Sequence, residues 1–418
     1  MNKIIVTSIS CTGKRIEVRF AVEGEIQKYF NTDIFWAEYS EEISITPEGI
    51  AVIPFVCNVL PIVWLTDANL ELPELDSDFF NSIEKFKQGY INMYPMLTFK
   101  GEVKTSRLFK SETTTPPQQK ETSAAFFSGG VDAFATLIAH ASEHPMLMTL
   151  WGSDIALDDT EGWQIVENHL LETARTFQTQ AVTIKTNFRR FINDAELNRL
   201  VAAARDSYWH GFQHGIGIIG HGAPMAWKHG FSKLYIASSY TANDNVPCAS
   251  HPDIDGNVRF TGTRVFHDQY EFDRQAKVDH ICEYSGRTGR KFTLRVCWKT
   301  SGGKNCCRCE KCLRTMFELF AAGRDPRDFG FDYSNADLRK SKLNIFSKGL
   351  DYISIQGYWK PIKHELTHRP HALMPEQIKW IETCDFDKES KSRKMRAALF
   401  IHNLPARIRF KLLRIINK

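Results

Sequence analysis

No apolar stretch in the 418 residues is long enough to cross a bilayer. The longest, GIAVIPFVCNVLPIVWL at 49–65, carries Pro54, Asn58 and Pro61 and falls short of the roughly 20 residues a spanning helix needs. It reads as a buried core segment. The N-terminus, MNKIIVTSISCTGKRIEVRF, has neither a long apolar core nor a small-residue cleavage site, so no signal peptide is expected. No internal repeat is present, which sets aside a solenoid. A G-x-x-x-x-G-K-[ST] loop and an H-E-x-x-H helix are both missing, which sets aside Walker-type nucleotide binding and zincin chemistry. Cysteine is sparse outside one place: of ten, four fall within 306–312. That clustering points to a metal rather than a disulfide framework, and so to a reducing, cytoplasmic compartment.

Hydrophobic content of 43% and charged content of 24% are ordinary for a soluble globular protein, and the length allows two or three domains. The net charge of +4 is unevenly placed. Lys388 to Lys418 holds ten Lys/Arg against the single acid Glu389, so the rest of the chain is mildly acidic.

Residues 1–110 read as a separate α+β domain, rich in strands. IIVTSIS and RIEVRFAV alternate around CTGK as a hairpin would, and Asp76 is placed to cap a helix with Phe79, Ile83, Phe86 and Tyr90 on one face. SETTTPPQQKET reads as a linker over 111–122. From 123 to about 330, strand-like runs alternate with helical patterns. AAFF, MLMTLW (146–151), AVTIKT (181–186), KLYIAS (233–238) and TLRVCW (293–298) are the strand candidates. A helix is expected over 161–176 and a glycine-broken helical stretch over 209–229. This alternation implies an α/β core with a parallel sheet, whose ligands bind at the carboxyl ends of strands. SGGVD, WGSD and ASSYTAND all fall at such ends. The last segment, 331–418, reads as a helical extension with a basic tail.

Ser128, Gly129, Gly130, Val131 and Asp132 follow a short apolar strand and open a helix. Paired glycines allow close approach of the backbone to an anion, and the helix dipole favours negative charge there. Downstream, Cys297, Cys306, Cys309 and Cys312 are spaced C-x8-C-x2-C-x2-C, which suits four tetrahedral thiolates around Zn²⁺. Cys307 interrupts the knuckle and fits the spacing less well. A redox role for C-x-x-C, or an iron–sulfur cluster, is the alternative for these thiols.

The SGG-x-D loop resembles the pyrophosphate loop (PP-loop) of N-type ATP pyrophosphatases. Joined to the cysteine quartet, it resembles the 7-cyano-7-deazaguanine synthase branch of that superfamily, the nitrile-forming enzymes of queuosine biosynthesis. WGSD (151–154), YIASSYTANDNVPCASHPD (235–253), EFDRQAKVDHICEYSG (271–286) and EKCLRTM (310–316) fall in the family's order, and the likeness covers roughly 123–320. The resemblance implies a Rossmann-like PP-loop core of the adenine nucleotide alpha hydrolase type, with a structural zinc knuckle and ATP and Mg²⁺ as reactants. It implies ATP contacts from Ser128, Gly129, Gly130, Val131, Asp132, Trp151 and Gly152, with Asp132 and Arg274 or Lys277 as catalytic residues. A carboxylate or amide oxygen would be activated as an adenylate and then attacked by ammonia or an amine, releasing AMP and pyrophosphate.

The chain departs from the family in two places. Ala133 stands where the family carries a hydroxyl, and the Gly-Arg-Asn signature is absent, YWHGFQHGIGIIGHG (208–222) taking its place. A non-catalytic nucleotide-binding subunit of a multiprotein complex is therefore the second reading. The long flanks resemble those of proteins in antiviral defence operons or surface-polysaccharide loci, where the substrate is a small molecule or a macromolecule bearing a carboxylate. Homodimer formation or operon-encoded partners are both compatible.

Other candidates carry two readings each. His210 and His214 are four apart and, with His221, are ligands, substrate contacts or packing residues. Asp154, Asp158 and Asp159 hold Mg²⁺ with Asp132 or cap the following helix. Cys248 is a nucleophile or a bystander. In the tail, Ile408, Leu412, Ile415 and Ile416 share a helical face against Arg407, Arg409, Lys411 and Arg414, a pattern suited to an anionic membrane surface, nucleic acid or an acidic protein, or to docking on the chain itself.

Overall fold

In a computed structural model, the described residues are 2–110, 122–244, 246–297, 303–347, 349–393, 395, 396, 399 and 400. The basic helix expected over 406–418 lies outside them. The chain forms two compact units, Met1–Ser128 with Asp132–Phe272, and Gly129–Val131 with Asp273 onward.

The first unit is built on one sheet of eleven strands. In chain order they are β1 (Lys3–Thr12), β2 (Arg15–Glu23), β3 (Ile34–Tyr39), β4 (Asn69–Asp76), β5 (Glu102–Phe109), β6 (Ser123–Phe126), β7 (Met146–Trp151), β8 (Ala181–Thr186), β9 (Lys233–Ala237), β10 (Arg259–Phe260) and β11 (Thr263–Asp268). Across the sheet the order is β10-β11-β9-β6-β7-β8-β3-β2-β1-β4-β5. The expected hairpin is present: β1 and β2 pair antiparallel around Gly13, whose φ of 58° suits a two-residue turn.

Five strands, β8-β7-β6-β9-β11, run parallel. All four residues of β6 are buried, as are the first five of β7, which explains their near-continuous apolar sequence. The chain winds outward from β6 to β7 and β8 on one side, then returns to β9 and β11 on the other. The winding reverses between β6 and β9, the switch point at which open α/β sheets form a crevice.

The N-terminal strands are part of this sheet rather than of a separate domain. Strand β3 pairs antiparallel with β8, Ala37 opposite Thr186 and Tyr39 opposite Ile184. The Asn187 side chain prolongs the join, accepting from Trp36 N at 2.9 Å and donating to Ile34 O at 2.9 Å. The core is continuous across it. Phe20 and Phe35 meet Phe55 and Phe191 with ring centroids 4.9–6.1 Å apart. The boundary expected at 111–122 thus separates stretches of sequence but not two sheets.

The apolar run at 49–65 is the buried helix Ile53–Leu65. Among the described residues, no helix is long and apolar enough to cross a membrane. Its partner is the glycine-broken stretch. Asn58 Nδ2 donates to Gly217 O at 3.2 Å, and its Oδ1 accepts from Gln213 at 2.7 Å. A Cβ on Gly220 would lie 2.7 Å from the Cys57 side chain, so glycine here permits close helix packing. Asp76 caps Ser77–Met93 as its position predicts, accepting from Phe79 N at 2.9 Å.

The second unit is helical among its described residues. Helix Arg274–Thr288 is tied to helix Glu310–Ala321 by Arg274 and Glu318 at 3.1 Å, and Arg369 grips Asp279 through both terminal nitrogens at 2.8 Å. Phe317, Trp359 and Phe386 form its aromatic centre. The strand expected at 293–298 is absent over the described 293–297. Its backbone bonds run to separate places: Leu294 N bonds Phe329 O, Arg295 N bonds Gly129 O, and Val296 N and Cys297 N both reach the Asn305 side chain.

A fragment spanning 122–418 exposes the β8 edge and half of the shared core. We expect it to be insoluble or to lack a cooperative thermal transition. A soluble fragment that unfolds cooperatively would contradict the shared sheet.

Candidate active site and metal centre

Phe127 follows strand β6; its N–H bonds Met148 O at 2.8 Å and its carbonyl accepts from Thr149 at 2.5 Å, so the loop leaves the sheet at a fixed point. Gly129 has φ 78°, a conformation that favours glycine. The nine-residue helix Val131–Ala139 follows, with the positive end of its dipole at the loop. Ser128 is exposed, Gly130 and Asp132 are half-buried, and Val131 and Ala133 are buried.

Trp151 and Gly152 close the neighbouring strand. Gly152 has φ 109°, and a Cβ there would lie 2.1 Å from Thr186 O, so the chain passes β8 where only glycine fits. The Trp151 ring is stacked on Trp163 at 5.1 Å, covered by Lys185 at 4.1 Å, and donates to Ala156 O at 2.9 Å. The three aspartates that follow have separate fates. Asp159 caps helix Thr160–Phe177 through Gly162 N, Asp158 pairs with Arg190 at 2.8 Å, and Asp154 is exposed. Among the described residues they are not gathered into a group that could hold a metal ion.

In the second unit, Arg274 also donates to Thr315 Oγ1 at 2.9 Å, and Lys277 is buried. Both cations are built into the packing of their helix.

The quartet is brought together as its spacing predicts. The sulfurs of Cys297, Cys306, Cys309 and Cys312 all lie within 4.8 Å of one another, with Cys297–Cys309 and Cys306–Cys312 at 3.9 Å. Bonds of about 2.3 Å to a tetrahedral zinc place sulfurs about 3.8 Å apart, so the cluster could bind that ion. Local chemistry shapes it. Asn305 accepts from Cys297 N, Cys309 N–H points to Cys306 Sγ at 3.2 Å, and Cys309 Sγ caps helix Glu310–Ala321. Hydrogen bonds from Cys309 and Cys312 pull the Cys306 thiol down, while the same bonds to Cys306 push Cys309 up to about 12 and Cys312 higher still. Sulfurs this close cannot all ionise without a cation among them. Cys307 is excluded from the group; burial raises it to about 12.

The histidines divide. His221 is fully buried, bonded to Gly217 O at 2.7 Å and Thr186 Oγ1 at 3.0 Å, and burial lowers it to about 4. It is a neutral packing residue. His210 begins a different arrangement. It lies in the π-helical turn Trp209–Gln213, its Nδ1 is 2.8 Å from Asp206 Oδ2, and its Nε2 is 3.0 Å from Tyr240 OH. Asp206 is in turn held by Tyr94 OH at 3.0 Å and Ser207 N at 2.7 Å. Cys248, beyond the end of β9, lies against the same turn, its Sγ 3.5 Å from His210 O and 3.4 Å from Ser250 N. The Asp206 carboxylate, then the nearby Cys248, raises His210 to about 10. Burial would raise Cys248, but His210 and His214 outweigh it and bring the thiol down to about 7. Asp206 and Tyr240 are absent from the residues the sequence singles out, although Asp206 four residues before His210 is a readable i, i+4 pair.

Purified protein is expected to carry one zinc ion per chain by elemental analysis. Cys309→Ser should abolish it and, by removing metal binding on the order of 10 kcal/mol, destabilise the second unit, whereas Cys307→Ser should retain it. Equal loss in both variants would contradict the assignment of the quartet.

No protein-family model, no curated protein and no solved structure matches this chain, so its chemistry rests on its own residues.

Proposed function

We propose that the protein uses ATP to adenylate a carboxylate or amide oxygen and passes the activated group to ammonia or an amine, as the resemblance to 7-cyano-7-deazaguanine synthases implies. The observation that carries this reading is the Ser128-Gly129-Gly130 turn between β6 and its helix, at the strand beside which the parallel order reverses. Backbone at Gly129 in the left-handed region and a helix N-terminus suit a polyphosphate.

In this reading Ser128, Gly129, Gly130 and Val131 receive the β- and γ-phosphates. Trp151 and Gly152 border the nucleoside. Asp132, a half-buried carboxylate, suits Mg²⁺, which would supply charge neutralisation on the phosphates. The substrate oxygen attacks the α-phosphorus, the bond to the β-phosphate oxygen breaks, and pyrophosphate leaves. The cationic role falls to Arg274 or Lys277. Zinc in the cysteine quartet is structural. All ten cysteines are free thiols, which fits the cytoplasm. The carboxylate substrate is a small molecule or a macromolecule, within a defence or polysaccharide gene set, and the tail contacts a membrane surface, nucleic acid or an acidic protein.

One observation favours a nucleotide-binding subunit without turnover: Ala133 is buried and offers no hydroxyl to the phosphates.

Incubation with ATP, Mg²⁺, ammonium and a panel of carboxylates including 7-carboxy-7-deazaguanine is expected to yield AMP and pyrophosphate, and Asp132→Ala to slow this about 100-fold. ADP as product would remove the assignment. ATP binding without turnover across the panel would support the second reading.

A further inference from the structure

A polar chain among the described residues belongs neither to the glycine loop nor to the quartet. It lies wholly in the first unit and ends beyond the carboxyl end of β9, the strand that borders the switch point. It begins inside. Tyr94, 2% exposed, follows helix Ser77–Met93 and donates its phenol proton to Asp206 Oδ2 at 3.0 Å. Ser207 N–H holds the other oxygen at 2.7 Å. His210 Nδ1 lies 2.9 and 2.8 Å from the two oxygens, and its Nε2 lies 3.0 Å from Tyr240 OH.

The backbone is shaped to hold this chain. His210 sits in the π-helical turn Trp209–Gln213, and single π turns concentrate at functional sites. A Cβ on Gly211 would lie 2.6 Å from Tyr94 OH and 2.7 Å from Asp206 Oδ2, so glycine beside His210 leaves room for the carboxylate. The Tyr240 backbone is tied by Ser238 Oγ, which donates to its carbonyl, and the His210 and Tyr240 rings meet edge to face at 5.9 Å. Exposure grows along the chain: Asp206 keeps 19% of its side chain in solvent and His210 34%, and Tyr240 is half-buried. The titratable groups facing His210 are Asp206, Tyr240 and Cys248, with His214 one turn on and Tyr94 behind the carboxylate. Asp206 on Nδ1 favours the charged ring, and an imidazolium donates through both nitrogens. The Tyr240 oxygen is then the acceptor at Nε2, and its own proton is directed away from His210. A phenol that accepts a charge-assisted bond is a stronger donor in turn.

We propose that Tyr240 is a catalytic hydrogen-bond donor to the carbonyl oxygen of an acyl group under attack, with His210 and Asp206 as its positioning residues. That the acyl group is carried on AMP rests on the function proposed above; the donor does not. As the amine nitrogen attacks the acyl carbon, the C–N bond forms and the carbonyl π pair moves to oxygen, where the Tyr240 O–H holds it. On collapse the carbonyl re-forms and the C–O bond to AMP breaks, its electron pair going to the phosphate. The amine proton leaves with that phosphate. Tyr240 keeps its proton and His210 its charge, so neither is reset between turnovers, and no oxidant or reductant takes part. A donor aimed at developing charge stabilises the transition state more than the bound substrate, so it acts on kcat.

The test uses the full-length protein, chemically prepared benzoyl adenylate and dilute hydroxylamine, an amine already uncharged at neutral pH. Wild-type protein is expected to accelerate benzohydroxamate formation. Tyr240→Phe, which keeps the ring, should lower kcat about 100-fold, with KM for the adenylate within about threefold. His210→Gln and Asp206→Asn should each lower kcat about tenfold, as loss of a charge-assisted bond behind the donor implies. The wild-type kcat should hold as pH rises and fall only near about 10, where His210 loses its proton. In Asp206→Asn the fall should move down towards the ordinary imidazole range, a shift that a packing role for Asp206 would not give. In protein labelled with ¹⁵N-histidine, the His210 resonance, assigned by its absence in His210→Gln, should show protons on both ring nitrogens at about pH 8. Wild-type kcat in Tyr240→Phe, no acceleration by the wild-type protein, or a His210 ring protonated on one nitrogen at that pH overturns the proposal. Accelerated, Tyr240-dependent aminolysis by a protein that releases no pyrophosphate from ATP would uphold the donor and remove the adenylation reading.

Discussion

Strand β6 is hydrogen-bonded on both sides, to β7 and β9, and all four of its residues are buried. A parallel strand so placed cannot shift without breaking two ladders, so its carboxyl end is firmly located in the first unit. The loop that begins at Ser128 and the loop that carries Cys248 leave from this strand and its neighbour β9. The chemistry proposed for the protein depends on those two strands holding register.

The second constraint is the joint between β3 and β8. It adds five strands to one edge of the parallel core: β3, β2, β1, β4 and β5. It also explains the stretch at 208–222. The glycines at 217 and 220 that break the helical pattern make room for Asn58 and Cys57 of the buried helix. The N-terminal region thereby supports the turn that carries His210, through Tyr90 OH to Phe212 O and Tyr94 OH to Asp206.

Local features were legible in the sequence because local chemistry decides them. Asp76 caps its helix, the β1–β2 hairpin closes at Gly13, and C-x8-C-x2-C-x2-C selects Cys306 over Cys307. The parallel core follows from alternating patterns. What was not legible depends on distant partners. The β3–β8 pairing joins residues about 150 apart, and nothing in either strand names the other. TLRVCW has strand composition, but the described 293–297 are not in a strand. The chain from Asp206 through His210 to Tyr240 joins a turn to a loop 30 residues away, so Tyr240 could not be read as its partner.

Two groups of thiols show how surroundings divide one side chain. Four sulfurs within 4.8 Å of one another could hold a metal ion. The buried Cys248 sulfur instead meets Ser250 N–H and His210 O.

The central claim is that a substrate oxygen attacks the α-phosphorus of ATP. It is tested most directly with a carboxylate that supports turnover, labelled with ¹⁸O in its carboxyl group. The account predicts ¹⁸O in the AMP released, and none in pyrophosphate. Unlabelled AMP, or label in inorganic phosphate with ADP as the nucleotide product, would contradict it.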